Sequence, residues 1–205
     1  MDQGLKIVLS GPSGSGKGTI VKELIKDEQF LLSISATTRS PRQGEEEGVH
    51  YFFKTREAFE SMIKQNELLE YAEFCGNYYG TPKAFIEDSV KNGKDVILEI
   101  EVEGAMQIKE IYPEAIFIFV VPPSLTELEN RLVGRNTETR EVIDQRLGRA
   151  KEELALYKQY DYVVVNDRLV EAIDEIQCIV RAEKLKSSFY GQKIEDVIRT
   201  EANNQ

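Results

Sequence analysis

The chain is poor in the residues that most often carry metal and redox chemistry. It has one histidine, His50, and two cysteines, Cys75 and Cys178, among 205 residues. A single histidine excludes a His dyad and a zinc centre built on several imidazoles. The cysteines lie far apart, and neither neighbours another Cys or the His, so there is neither metal-ligand spacing nor a disulfide framework; buried or idle thiols are expected. No apolar run approaches the ~18 residues of a membrane span, and the opening MDQGLK has no basic stretch leading into an apolar one. The expectation is a cytoplasmic protein with no membrane partner. Positive charge is outnumbered by negative. Lys and Arg number 26 against 36 Asp and Glu, a net charge of −10, which argues against a nucleic-acid partner because such binding needs a basic face.

What is present reads as one domain. A chain 41% hydrophobic and of this length buries one sizeable core. Apolar runs rich in Val and Ile recur at 5–9, 96–100, 115–121 and 162–165, separated by segments with helical spacing at 17–27, 102–111, 124–134 and 168–186. Near-continuous apolar strands alternating with helices predict an α/β fold whose parallel sheet is covered on both faces. Ser124 with Glu127 is a capping-box signal after Pro122 and Pro123. Between 30 and 95 the pattern becomes polar and aromatic, which predicts an insertion with a helix at about 55–65 and its own small antiparallel sheet. The tail after about 187 predicts a short helix.

The stretch GPSGSGKGT at 11–19 follows the first apolar run directly. Glycines at 11, 14, 16 and 18 allow a tightly curled backbone whose amides point at one anion, the following helix adds its positive end, and Lys17 adds a point charge. This is the phosphate-cradling loop of nucleoside triphosphate enzymes, in the required strand, loop, helix context. Gly18 stands where the general pattern has a hydroxyl, and Thr19 follows it, so the group expected to touch Mg²⁺ is displaced by one residue. Glu99 and Glu101 follow the apolar VIL; on one strand they would point to the same side, towards the cleft at the carboxyl ends of the strands. Solvated charges at a strand end are the alternative. From Arg131 to Lys151 six cations stand against three acids, which suggests a small anionic ligand.

Five separated stretches, SATTRSPRQGE at 35–45, VHYFF at 49–53, LLEYAEFCGNYYGT at 68–81, ILEIEVEGA at 97–105 and RLVGRNTET at 131–139, together with the GKGT loop, resemble guanylate kinase in order and spacing. The resemblance spans roughly 5–187. It implies a P-loop core at 1–34, 83–134 and 152–187, a GMP-binding insertion at about 35–82, a mobile lid at about 135–151 and a tail at 188–205. It further implies that ATP is held by Gly11, Pro12, Ser13, Gly14, Ser15, Gly16, Lys17, Gly18 and Thr19, with Asn166 and Asp167 at the adenine. Arg39, Arg42, Tyr51 and Tyr79 would clamp the GMP phosphate. Ser35 and Thr81 would bond the guanine O6 side, Glu70 would accept from N1–H and N2–H₂, and Glu101, where relatives mostly have Asp, would reach the guanine amino group. Lys17, Arg39, Arg131, Arg135 and Arg146 would stabilise the transferring phosphoryl group, and Mg²⁺ carried with ATP would lie near Thr19 and Glu99, through water in the case of Glu99.

The activity so implied is in-line transfer of a phosphoryl group from ATP to GMP, with dGMP a second acceptor and with monomer and homodimer both left open. Plainer readings stand beside these roles. Thr81 before Pro82 is also a helix N-cap signal. Tyr78 and Tyr79 suit a core, Arg39 and Arg42 a solvated loop, and the basic segment a salt-bridged helix in which Glu138, Glu141 and Glu152 pair with some of the cations.

Overall fold

Alternation along the apolar runs builds a sheet with two dry faces. In the computed structural model, which describes residues 3–42, 44–74, 76–134 and 140–202, the runs become β1 (Lys6–Ser10), β7 (Asp95–Glu99), β8 (Ile116–Val121) and β9 (Tyr162–Val165). A fifth strand, β2 (Phe30–Leu32), is only three residues long and had no sequence signal of its own. The order is β2-β7-β1-β8-β9, and every pair is parallel. Ile7, Leu9, Ile97, Ile118 and Val120 face α1 (Lys17–Leu24) and α7 (Leu169–Lys184). Their neighbours Val8, Val96, Leu98, Phe117 and Phe119 face α3 (Lys83–Lys91) and α4 (Val102–Ile111). Successive residues thus enter opposite cores, as a two-residue period demands.

The insertion folds around a second, smaller core in which Phe59 of α2 (Arg56–Lys64) packs on Ala36 and Leu68. Thr55 caps α2, its hydroxyl accepting from the Ala58 amide at 3.1 Å. The sheet here runs β4-β3-β6-β5, from β3 (Ala36–Thr37), β4 (Phe52–Phe53), β5 (Leu68–Phe74) and β6 (Asn77–Pro82). It is not wholly antiparallel as expected, because β3 and β4 pair in parallel. The long polar connection between them carries the chain back to the end where β3 began, where a tight hairpin would have reversed it.

α5 (Leu125–Val133) starts where the capping signal placed it, with Ser124 Oγ accepting from the Glu127 amide at 3.0 Å. The Glu127 carboxylate accepts from Arg131 Nε at 2.8 Å. α6 (Arg140–Leu154) packs on α5 through Leu128, Leu132, Ile143, Leu147 and Ala150, and continues without a break past residue 151. A 3-10 turn at Ala155–Gln159 leads into β9, and the tail helix α8 (Ser187–Ala202) is longer than the short helix expected. Cys178 is exposed on α7 rather than buried; Cys75 lies outside the described residues. Among the described residues no helix is long and apolar enough to cross a membrane.

One charge is fully enclosed at the amino end of the sheet. Asp95 accepts from the Leu5 amide at 2.9 Å through Oδ1 and pairs with Lys184 Nζ at 2.6 Å through Oδ2, which joins β1, β7 and α7. Removing one partner of such a pair strands the other in a poorly solvated place. Lys184→Met is expected to cost about 3 kcal/mol, read as a lower denaturant midpoint at unchanged slope. An unmoved midpoint would mean that the Leu5 amide alone suffices for Asp95.

Candidate active site

The loop after β1 takes its shape from glycine. Gly14 and Gly16 both have φ of 93°, a left-handed conformation that side chains resist, and Gly16 is the N-cap of α1. Space enforces the same choice. A Cβ on Gly14 would lie 2.8 Å from Leu128 Cδ1 of α5, and one on Gly16 would lie 2.2 Å from Asn166 Nδ2. Of the four loop glycines the sequence singled out, Gly18 differs, since it sits in the first turn of α1 without a positive φ. A Cβ there would meet Glu99 Oε1 at 3.4 Å, an ordinary contact, so space does not demand glycine at this position.

Lys17 is nearly enclosed, and its ammonium donates to the carbonyls of Gly11 at 2.6 Å and Pro12 at 3.3 Å. The Pro12 carbonyl also accepts from the Ser15 amide at 3.1 Å. A cavity of about 410 Å³ opens above the loop, bordered by Ser13, Gly16, Lys17, Thr19, Glu99 and Glu101 among others. Burial raises the proton affinity of Glu99; Lys17 acts against this and Glu101 adds to it. Glu99 and Glu101 therefore share one cavity, but not by strand alternation. β7 ends at Glu99, and Glu101 is the exposed N-cap residue of α4.

Behind the loop stands a brace built on Asn166, a residue that the family resemblance implies at the adenine. Asn166, buried after β9, donates from Nδ2 to the Ser15 carbonyl at 2.8 Å, and its own carbonyl accepts from Arg131 Nη2 at 2.9 Å. Ser15 is fully buried, so it serves the loop through its backbone. Asp167 is exposed beside this brace. Arg131 flanks Gly16 and is held by Glu127 as well as by Asn166. Arg135 lies outside the described residues. Arg146 borders a second cavity, of about 370 Å³, with Ser13, Glu101, Arg149 and Glu153. The salt-bridged reading of the basic segment holds for Arg140, which pairs with Glu129 at 2.6 Å and Asp144 at 2.9 Å, acids other than those anticipated.

In the smaller sheet, Glu70 owes its direction to a bulge. Leu68 pairs with Pro82 but Tyr71 with Gly80, so Leu69 and Glu70 together stand opposite Thr81. Leu69 enters the main core beside Val102 and Ala105 of α4, while Glu70 accepts from the Thr81 hydroxyl at 2.6 Å. Burial raises the proton affinity of Glu70, and Thr81 partly offsets it. Thr81 is fully buried and bonded to Glu70, and Pro82 is the N-cap residue of α3, so the helix-cap reading of Thr81 fails.

Arg39, Tyr51 and Tyr79 are brought together: the Tyr51 and Tyr79 rings meet edge-on at 6.1 Å, and the Arg39 guanidinium lies 5.6 Å from the Tyr51 centroid. Tyr78, by contrast, stacks on Phe59 as a core aromatic. Arg39 is not a solvated loop residue. Its Nη2 donates to both oxygens of Glu45, each at 2.9 Å, and Glu45 raises its already high proton affinity. The Glu45 carboxylate is itself held below the usual range, first by the Arg42 amide and then by Arg39. Arg42 is exposed; Ser35 is half-buried, its carbonyl accepting from the Phe52 amide at 2.8 Å.

Glu45, Glu153 and the bracing role of Asn166 were missed, and Arg149 was named only as one cation of the basic segment. Glu45 stood three residues after Arg42 in a stretch already singled out, and Arg149 and Glu153 had an i, i+4 spacing on the basic helix. The Asn166 brace had no local signal, since its partner lies 151 residues away.

The guanylate kinase family profile matches residues 3–183. Similar relatives include guanylate kinases of Halalkalibacterium halodurans, 53% identical over 98% of this chain and 98% of its own length, and of Bacillus subtilis, 52% identical over 98% and 99%. That of Bacillus cereus is 58% identical over 88% of this chain and 89% of its own. Among solved structures, the guanylate kinase of Anaplasma phagocytophilum superposes with a TM-score of 0.69 at 37% identity, covering 91% of this chain and 89% of that one. With similarity of this extent over a loop and clefts of this geometry, the chain belongs to the guanylate kinase family.

Proposed function

We propose that the chain transfers the γ-phosphoryl group of ATP to GMP, giving ADP and GDP. The observation that carries this is the docking of the two sites through α4. β5, which bears Glu70, packs on α4, and the N-cap residue of α4, Glu101, borders the cavity over the phosphate loop. In this reading the loop amides and Lys17 hold the donor phosphates, Arg39 and Arg42 with Tyr51 and Tyr79 hold the acceptor phosphate, and Arg131, Arg135 and Arg146 supply charge as transfer proceeds. Phosphoryl transfer asks the protein for positioning and charge more than for covalent work. The acceptor oxygen is already anionic, so no general base is required, and one histidine is no obstacle.

Glu70 and Thr81 supply the selectivity. A carboxylate accepts from guanine N1–H and N2–H₂, whereas adenine presents a lone pair at N1 and would leave the acid unpaired. Ser35 and Glu101 complete the guanine contacts, and Asn166 and Asp167 border the adenine of ATP. The same cleft would admit dGMP. The protein would work in the cytoplasm on these small molecules.

The donor set suits Mg²⁺. Among the described residues no three His, Cys, Asp or Glu side chains gather as a metal cage, but Glu99 and Thr19 border the same cavity. Mg²⁺ keeps several waters and takes one or two carboxylates plus phosphate oxygens. Glu99, through water, and the Thr19 hydroxyl would hold it, and it would neutralise charge on the phosphate oxygens.

Three outcomes are expected. Lys17→Ala should lower kcat by about a hundredfold to a thousandfold while the protein stays folded, read as a retained cooperative melting transition; undiminished turnover would refute its role. In ADP-release assays with each monophosphate in turn, GMP should exceed AMP in kcat/KM by at least about a hundredfold, and Glu70→Gln should narrow the gap; equal rates would sink the guanine reading. Glu70 must be ionised to accept both guanine donors, and its proton affinity is raised. KM for GMP should therefore climb as pH falls through that raised pKa, more steeply than in Glu70→Gln, with parallel profiles counting against the contact.

A further inference from the structure

We propose that Arg149 is a further phosphate-binding residue of the donor site, selective for the triphosphate end of the nucleotide; this rests on the kinase reading above. Arg149 lies one turn beyond Arg146 on α6, at i, i+3, so the two share a helix face. Both border the cavity whose wall includes Ser13 of the phosphate loop and Glu101. Two guanidiniums on one face at the edge of a phosphate cradle can converge on one anion.

The side chain is aimed as well as placed. Its Nε donates to Glu153 at 2.8 Å; the Glu153 carboxylate is only 10% exposed while the Arg149 side chain is 57% exposed, so the contact fixes the stem and leaves the fork accessible. The fork end is held far more weakly. Nη2 lies 3.7 Å from Glu103, whose side chain is 85% exposed, a distance and setting in which an ion pair contributes little. A phosphate oxygen offers the same planar fork a stronger, charge-assisted partner. Arg149 thus stands parked on Glu103, at the first turn of α4, with its nearer end anchored and its farther end exchangeable. Three carboxylates surround it, Glu101, Glu103 and Glu153. Only Glu153 is buried enough to keep it when a polyanion arrives.

The test is calorimetry without acceptor, comparing ADP with a non-hydrolysable imido analogue of ATP, each with Mg²⁺. Arg149→Ala should weaken the triphosphate analogue by about tenfold and ADP by less than about threefold. Arg149→Lys, which keeps the charge and loses the fork, should fall between. Because Arg149→Ala strands Glu153, a second variant leaves that contact intact: Glu103→Gln removes the competing acid and should tighten the triphosphate analogue about twofold. Equal effects of Arg149→Ala on both nucleotides, no effect on either, or weaker triphosphate binding in Glu103→Gln would each overturn the proposal. GMP turnover by the unaltered enzyme, measured in parallel, reports on the kinase reading separately.

Discussion

A backbone cannot hold a polyanion unless it is kept from collapsing onto itself, and the brace behind the phosphate loop meets that requirement here. Asn166 holds the Ser15 carbonyl from one side, Leu128 fills the space beneath Gly14, and the two left-handed glycines leave no room for any other residue. The brace also recruits Arg131, whose guanidinium reaches the Asn166 carbonyl while Glu127 steadies its other edge. Loop shape and the position of the first basic residue on α5 are therefore one arrangement. α5 and α6 share a small apolar core of their own, so the cations of α6 inherit their placement from the same support.

The acceptor side depends on a comparable economy. A single extra residue in β5 turns two neighbours in useful directions at once, Leu69 into the main core and Glu70 towards Thr81. The carboxylate that reads the base in our proposal is thereby fixed to the same helix whose N-terminus borders the donor cavity. Arg39 is likewise held before any substrate arrives, by the two oxygens of Glu45. Positioning charges ahead of binding reduces the ordering cost on association.

Much of this was legible in the sequence where the signal was local. The four long apolar runs, the glycine loop with Lys17, the cap at Ser124 and the helix near 55–65 all appear where expected, because each is encoded within a few neighbouring residues. What stayed hidden depends on distant partners. β2 is a strand only because β7 offers it an edge, and the parallel β3–β4 pair is set by the path of the connection between them. Register decides where Glu70 points, and register is not written in the residue itself. Glu101 was misplaced for the opposite reason: the two-residue period was continued past Glu99, where the chain had already turned to begin α4. The tail helix exceeded expectation because nothing in its sequence marks a stop before Ala202.

The strand order carries a cost at synthesis. β1 is made well before both strands that flank it, β7 and β8, which come from much later in the chain. Until they are translated, Ile7, Val8 and Leu9 have no edge to pair with and no helical roof, apart from what α1 can offer. A ribosome-bound fragment ending before Asp95 would thus present a sticky apolar ribbon beside an incomplete nucleotide cradle. Until those strands are made the apolar ribbon stays open, and ATP can assist folding only once the far side of the sheet has closed around that first strand.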